Sequence, residues 1–174
     1  NERAHAALQR AFKDRTVHKT YLALVEGRPP TPTGRVEAPI GRDASHRKRM
    51  VVVPGSRGRT ALTAYQTLET FAAGSLLEVH PETGRTHQIR VHLAFLGCPV
   101  AGDRVYGSRA ARITAPRQML HAWKLRVHLP GEAETRELEA PPPEDFESVL
   151  RELRREGRSL NGTRPAASPK GGKG

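Results

Sequence analysis

The stretch His80-Pro81-Glu82-Thr83-Gly84-Arg85-Thr86-His87-Gln88-Ile89-Arg90 contains an abrupt change of hydrophobic period, and the fold can be read outward from it. Upstream, Ser75 to His80 has the composition of a strand. Downstream, Ile89, Leu93 and Leu96 fall at i, i+4 and i+7, the spacing of one helix face. Thr86 is the expected N-cap, and Gly97 followed by Pro99 is the expected stop. Arg85 thus stands at a strand-to-helix elbow, where Gly84 allows a tight turn and the helix N-terminus supplies N–H groups and a partial positive charge. Two anions suit such a clamp: a phosphate, or a protein carboxylate kept ionised by the cation beside it. The bland reading is an exposed arginine in a turn.

On either side of the elbow the patterns are those of short elements. Ala4, Leu8, Ala11 and Phe12 mark a helix face between Asn1 and Arg15. His18 to Gly27 (HKTYLALVEG) is an apolar, aromatic and β-branched run that suits a strand buried on both faces. Further strands are expected at Val36 to Ile40, Thr60 to Phe71, Met119 to Leu129 and Thr135 to Ala140. Phe146, Val149, Leu150 and Leu153 define a last amphipathic helix, with acids first and arginines last. The order is not a regular βαβ alternation, so the expected class is α+β, with a mixed, largely antiparallel sheet flanked by helices. Residues 1–157 form the expected globular body. Residues 158–174, rich in Gly, Pro, Ser, Lys and Arg, form an expected disordered basic tail.

With 174 residues the chain holds one main domain. Its 29 Lys+Arg against 18 Asp+Glu give a net charge of +11, the footprint of a polyanion binder. The positive charge concentrates between Arg42 and Arg59, where Arg42, Arg47, Lys48, Arg49, Arg57 and Arg59 face only Asp43. This segment reads as a basic hairpin that contacts phosphates, against the ordinary alternative of a solvated loop. No apolar run approaches 18 residues, so a spanning helix is not expected and no membrane partner is assigned. The single Cys98 forms no Cys/His zinc framework, and the expected compartment is reducing and cytoplasmic.

Most enzyme motifs are absent. His87 and His92 stand at i, i+5 with no neighbouring acid, which is the wrong spacing for a helical zinc site, so no metal is expected. Gly55-Ser56-Arg57-Gly58 lacks the spacing of a nucleophile elbow, and no Gly-Lys-Ser/Thr follows a glycine-rich loop. His121, in an apolar strand, reads as a satisfied structural histidine. Tyr21 is either a core aromatic or a face on which a displaced nucleobase stacks.

Taken in order, HKTYLALVEG, TALTAYQTL, LLEVHPETGRTHQIRVHLAFLGCPVAGDRVYG, RQMLHAWKL and APPPEDF resemble the RluA-type pseudouridine synthases over about residues 1 to 150. The resemblance implies a pseudouridine synthase fold, here incomplete. It also implies an enzyme that isomerises chosen uridines in structured RNA, ribosomal RNA more readily than transfer RNA, without metal or organic cofactor. In that family an aspartate acts on a flipped-out uridine. Tyr21 matches the active-site tyrosine and Arg85 the arginine paired with the aspartate, which would answer which anion Arg85 holds. Leu77 corresponds to a wall of the uracil pocket, and Gln88 and Arg90 to positions of structural support or RNA contact. The chain is expected to be a monomer.

One family feature is missing. The catalytic aspartate belongs to a His-Arg-Leu-Asp motif followed by Thr-Ser-Gly, and the aspartates here are Asp14, Asp43, Asp103 and Asp145, each with an ordinary reading in a helix end, loop or turn. The expectation is that the nucleophile lies upstream of Asn1 and that the 174-residue chain is inactive by itself. The alternative is a non-catalytic basic RNA-binding module.

Overall fold

The computed structural model describes residues 2–14, 16–46, 49–129 and 134–162. Its centre is β1 (His18–Glu26), whose second half is buried on both faces. Leu22 and Leu24 point into one core with Phe71, Leu76, Met119 and Phe146. Ala23 and Val25 point into another with Leu77, Val79, Ile89 and Leu93. Alternation along one strand thus divides the interior into two layers, as the period of two requires. That is the physical meaning of its unbroken apolar run.

Around β1 the sheet is built from β2 (Thr33–Glu37), β5 (Leu62–Thr70), β6 (Gly74–Pro81), β7 (Leu120–His128) and β8 (Thr135–Glu139), in the order β2-β5-β6-β1-β7-β8. Every pairing is antiparallel, which places the chain in the α+β class. Helix α1 (Glu2–Lys13) precedes β1. Helix α2 (Gln88–Phe95) supplies Ile89 and Leu93 to the second core, and α3 (Glu144–Gly162) seals the first with Phe146, Leu150 and Leu153. Phe146 is fully buried, and truncating a side chain so placed costs about 3–5 kcal/mol. Among the described residues no helix is long and apolar enough to cross a membrane.

Two boundaries differ from the sequence reading. The strand expected from Val36 to Ile40 breaks at Ala38 and Pro39, because proline has no N–H to continue a ladder. Beyond the break, β3 (Ile40–Arg42) pairs with β4 (Met50–Val52) as a separate two-stranded ribbon. Helix α3 continues through Gly162, so residues 158–162 extend it where the sequence reading placed the start of the tail. The periodic apolar positions end at Leu153, and helical propagation beyond them needs no further core contact. Residues 163–174 lie outside the described residues.

Candidate active site

At the end of β6 the elbow is held by a buried polar network. The Thr83 hydroxyl accepts the Leu62 N–H at 3.0 Å and donates to Gln88 Oε1 at 2.7 Å. The same Oε1 accepts the Arg85 N–H at 3.0 Å, while Gln88 Nε2 donates to the Leu62 carbonyl at 2.8 Å and Thr63 Oγ1 at 3.0 Å. Thr63 in turn lies 2.9 Å from His92 Nδ1, and His92 Nε2 lies 3.0 Å from the Ala38 carbonyl. Since that carbonyl can only accept, Nε2 carries the His92 proton and Nδ1 accepts from the Thr63 hydroxyl. Burial lowers the His92 pKa, partly opposed by the Ala38 carbonyl, so the ring is neutral.

This network replaces two features expected from the sequence. Thr86 is not the helix cap: His87 occupies that position, in the left-handed region (φ 57°, ψ 18°), with no side-chain cap bond. The turn is therefore accommodated at His87 and not at Gly84, whose φ is not positive. A methyl group added to Gly84 would find only Lys19 Nζ, 3.8 Å away, so the glycine leaves open space beside the elbow.

Arg85 is half-buried and donates from Nε to the Thr60 carbonyl at 3.1 Å. It stands where three clefts meet. One, of about 360 Å³, is shared with Tyr21, Lys19, Ile89, Gln118 and Leu120. A second, of about 910 Å³, opens past His18, Thr60 and Arg59. The third, of about 610 Å³, runs along the β3–β4 ribbon past Arg42, Arg57 and Arg59. Tyr21 sits on β1 opposite Val79 of β6 and Ala122 of β7, and its partial burial raises the phenol pKa, keeping it protonated. The first cleft therefore combines an aromatic surface, apolar walls and a cation. Such a site can take a flat base beside an anionic group.

The remaining sequence candidates fall in different places. Gln88 lies within the network just described and also borders the first cleft, in keeping with a supporting role. Arg90 borders that cleft too, but its guanidinium is engaged by Asp103, with Nε and Nη2 donating at 2.6 and 2.7 Å. Leu77 has no exposed surface and packs wholly in the second core, so it does not wall the cleft; Ile89 and Leu120 do. Its position on the inward face of a central strand accounts for this. Arg42, Arg49, Arg57 and Arg59 are exposed on and beside the ribbon, whereas Arg47 and Lys48 lie outside the described residues. His121 is half-buried, with Nε2 2.8 Å from the Ala140 carbonyl.

Sequence reasoning missed the role of Asp103. Read as an ordinary turn residue, it is a buried carboxylate that also accepts the N–H groups of Val105 and Tyr106 at 2.9 and 3.0 Å. No local signal separates it from a surface Gly-Asp turn. The described residues lining the first cleft include no carboxylate. Asp43 is bonded to the N–H groups of Ser45 and His46, and Asp145 to Arg117. Among the described residues, no three His, Cys, Asp or Glu side chains are grouped to hold a metal ion.

Comparison with known proteins gives consistent matches. The pattern of a family described as RNA pseudouridylate synthase matches residues 1–95. A protein of Chloroflexus aurantiacus named as an uncharacterized RNA pseudouridine synthase is 53% identical over 139 residues, covering 80% of this chain and 43% of that protein. Ribosomal large subunit pseudouridine synthase D of Nitrosomonas europaea is 46% identical over 154 residues, covering 84% and 44% respectively. The chain spans about half the length of the curated relatives it matches. Among solved structures, human RNA pseudouridylate synthase domain containing 1 superposes with a TM-score of 0.74 at 31% identity, covering 94% of this chain and 73% of that one.

Proposed function

This chain belongs to the RNA pseudouridylate synthase family, and from that premise we propose that the complete protein isomerises uridines of structured RNA to pseudouridine. The substrate we assign is ribosomal RNA, in line with the large-subunit synthase among its relatives. In the reaction the bond from the ribose to uracil N1 breaks, the base rotates, and a bond to carbon 5 forms. The carbon 5 proton is lost and N1 regains one, so the product is an isomer and needs no oxidant or metal.

The observation that carries this reading is the cleft that Tyr21 and Arg85 line together. Tyr21 provides the surface against which an unstacked uracil is held, which offsets part of the few kcal/mol spent in flipping it. Arg85 provides the charge that keeps an aspartate ionised as nucleophile. That aspartate we place upstream of Asn1, so the 174-residue chain alone is inactive. The cationic ribbon with Arg42, Arg57 and Arg59 favours a backbone contact to the RNA on either side of the flipped base.

The test uses large-subunit ribosomal RNA transcribed with tritium at uracil carbon 5. The complete translation product should release tritium, and the 174-residue chain should not. In the complete protein, Arg85→Met should slow release by about 10²–10³, with RNA affinity falling only a fewfold. Tight RNA binding without release would replace the enzyme by a non-catalytic RNA-binding module.

A further inference from the structure

The far side of the elbow is held by a pair of aromatic residues to which the reaction above gives no role. His87 is the only non-glycine residue with a positive φ among those described, a conformation that persists where surrounding contacts hold it. Its ring stands edge-on to Tyr106, with centroids 5.7 Å apart and planes at 73°. His87 Nδ1 lies 3.0 Å from the Tyr106 hydroxyl, and that hydroxyl accepts the Met50 N–H from β4 at 2.9 Å. The guanidinium carbons of Arg90 and Arg49 lie 4.9 and 5.5 Å from the Tyr106 ring centre.

The Tyr106 hydroxyl already accepts the Met50 N–H and has its own hydrogen left to give. His87 Nδ1 lies within reach of that hydrogen, whereas an Nδ1–H tautomer would donate to the remaining lone pair of the phenol oxygen. A neutral imidazole that accepts at Nδ1 carries its proton on Nε2. Burial, then the charge of Arg90, lower the His87 pKa against the opposing pull of Asp103, so the ring is neutral. Nε2 has no partner among the described residues, yet no unsatisfied side-chain atom there is buried. His87 borders the cleft of Tyr21 and Arg85. With the phenol as donor, an accessible Nε2–H is carried by a residue that borders the proposed uracil site.

We propose that His87 is a substrate-contacting residue whose Nε2–H donates to an oxygen of the bound RNA, and that Tyr106 is the positioning residue that sets its tautomer and ties it to the β3–β4 ribbon. The inference rests on the reading of this cleft as an RNA site. The acceptor is either a uracil carbonyl or a backbone oxygen, since both present a lone pair to a neutral donor. Through one hydroxyl, Tyr106 joins the ribbon that carries Arg42 to the elbow that carries Arg85. Residues contacting the RNA backbone and residues contacting the base are thereby held in one frame.

The experiment is side-chain ¹⁵N NMR of the 174-residue chain, titrated with hexauridylate and with an abasic ribose-phosphate hexamer. The expected spectrum shows His87 protonated at Nε2, with that N–H shifting on saturation. A shift with hexauridylate alone identifies a uracil carbonyl, and a shift with both identifies a backbone oxygen. Tyr106→Phe should remove the tautomer preference and weaken hexauridylate binding about fivefold. Because that change also leaves the Met50 N–H unpaired, His87→Asn is the second variant. Asparagine tolerates the left-handed backbone but withdraws the ring, and it should show the same fivefold weakening with a cooperative melt retained. An Nδ1–H tautomer, a His87 signal unmoved by both hexamers, or wild-type affinity in His87→Asn would overturn the proposal. None of these readouts needs turnover, so absence of tritium release from the complete protein counts against the enzyme reading alone.

Discussion

Arg90 of α2 closes on Asp103 with two parallel hydrogen bonds, and the carboxylate is shut off from water while the guanidinium is mostly covered: the side chains are 0% and 12% exposed. The pair ties the helix that follows the elbow to the turn that carries Tyr106. A planar guanidinium and a carboxylate meet here in the bidentate geometry that suits both. Its effect on stability is therefore asymmetric: the intact pair adds little over a well-packed apolar substitute, but half of it is costly.

Removing one partner should accordingly destabilise more than removing both. Asp103→Ala is expected to lower unfolding free energy by about 3–5 kcal/mol, measured by urea denaturation, and Arg90→Met by a similar amount. The double variant Arg90→Met/Asp103→Leu should recover a substantial part. Single variants that cost less than about 1 kcal/mol would show that the pair is solvated in solution.

Acid should weaken the fold through the same carboxylate. Burial alone would raise the Asp103 pKa, but the Arg90 hydrogen bonds, the Tyr106 and Val105 N–H groups and the Arg90 charge outweigh it, leaving the value below the ordinary one. Glu69, hydrogen-bonded to Arg154 of α3, is lowered likewise despite partial burial. A depressed native pKa contributes stability that is complete above the unfolded value, about 3.9 for Asp and 4.3 for Glu, and is lost as pH falls through the native value. Melting temperature should thus hardly respond to these two groups between pH 7 and about 5, then fall. The fall should be shallower in Asp103→Asn, and equal slopes in the two proteins would refute the assignment.

Tyr21 offers a separate test of base stacking. Replacing it with alanine should weaken binding of a uridine-containing single strand by about 1–3 kcal/mol, while Tyr21→Phe keeps the ring and most of the affinity. Binding isotherms against hexauridylate and the abasic hexamer separate the two contributions. An equal loss on both hexamers would assign Tyr21 to the architecture of β1 alone.

The ribbon arginines should be read out in salt. Neutralising one arginine that touches a phosphate of single-stranded RNA should flatten the slope of log K against the logarithm of salt concentration by about 0.7. Arg57→Gln/Arg59→Gln should therefore reduce it by about twice that amount without altering the melt, because both side chains are exposed. An unchanged slope would place the RNA elsewhere.

What this sequence determined by itself is whatever depends on near neighbours. The run from Leu22 to Val25 is apolar at every position because both of its faces are covered, so its burial could be read directly. The spacing of Ile89 and Leu93 announced α2, and Gly97, with φ of 82°, ends it where the pattern stops. The Thr-Gly-Arg-Thr-His-Gln-Ile-Arg string located Arg85 at the elbow and pointed to the family. Tertiary structure alone decided the rest. It gave the tight-turn conformation to His87 and not to Gly84, placed Leu77 wholly inside the core, and turned Asp103 from an ordinary turn residue into the buried partner of Arg90. Each of these depends on a residue distant in sequence: Tyr106 beside His87, Ala23 across from Leu77, and a guanidinium thirteen positions away from Asp103. Spacing encodes which face of an element is apolar, but the identity of the group waiting opposite exists only once the elements have packed.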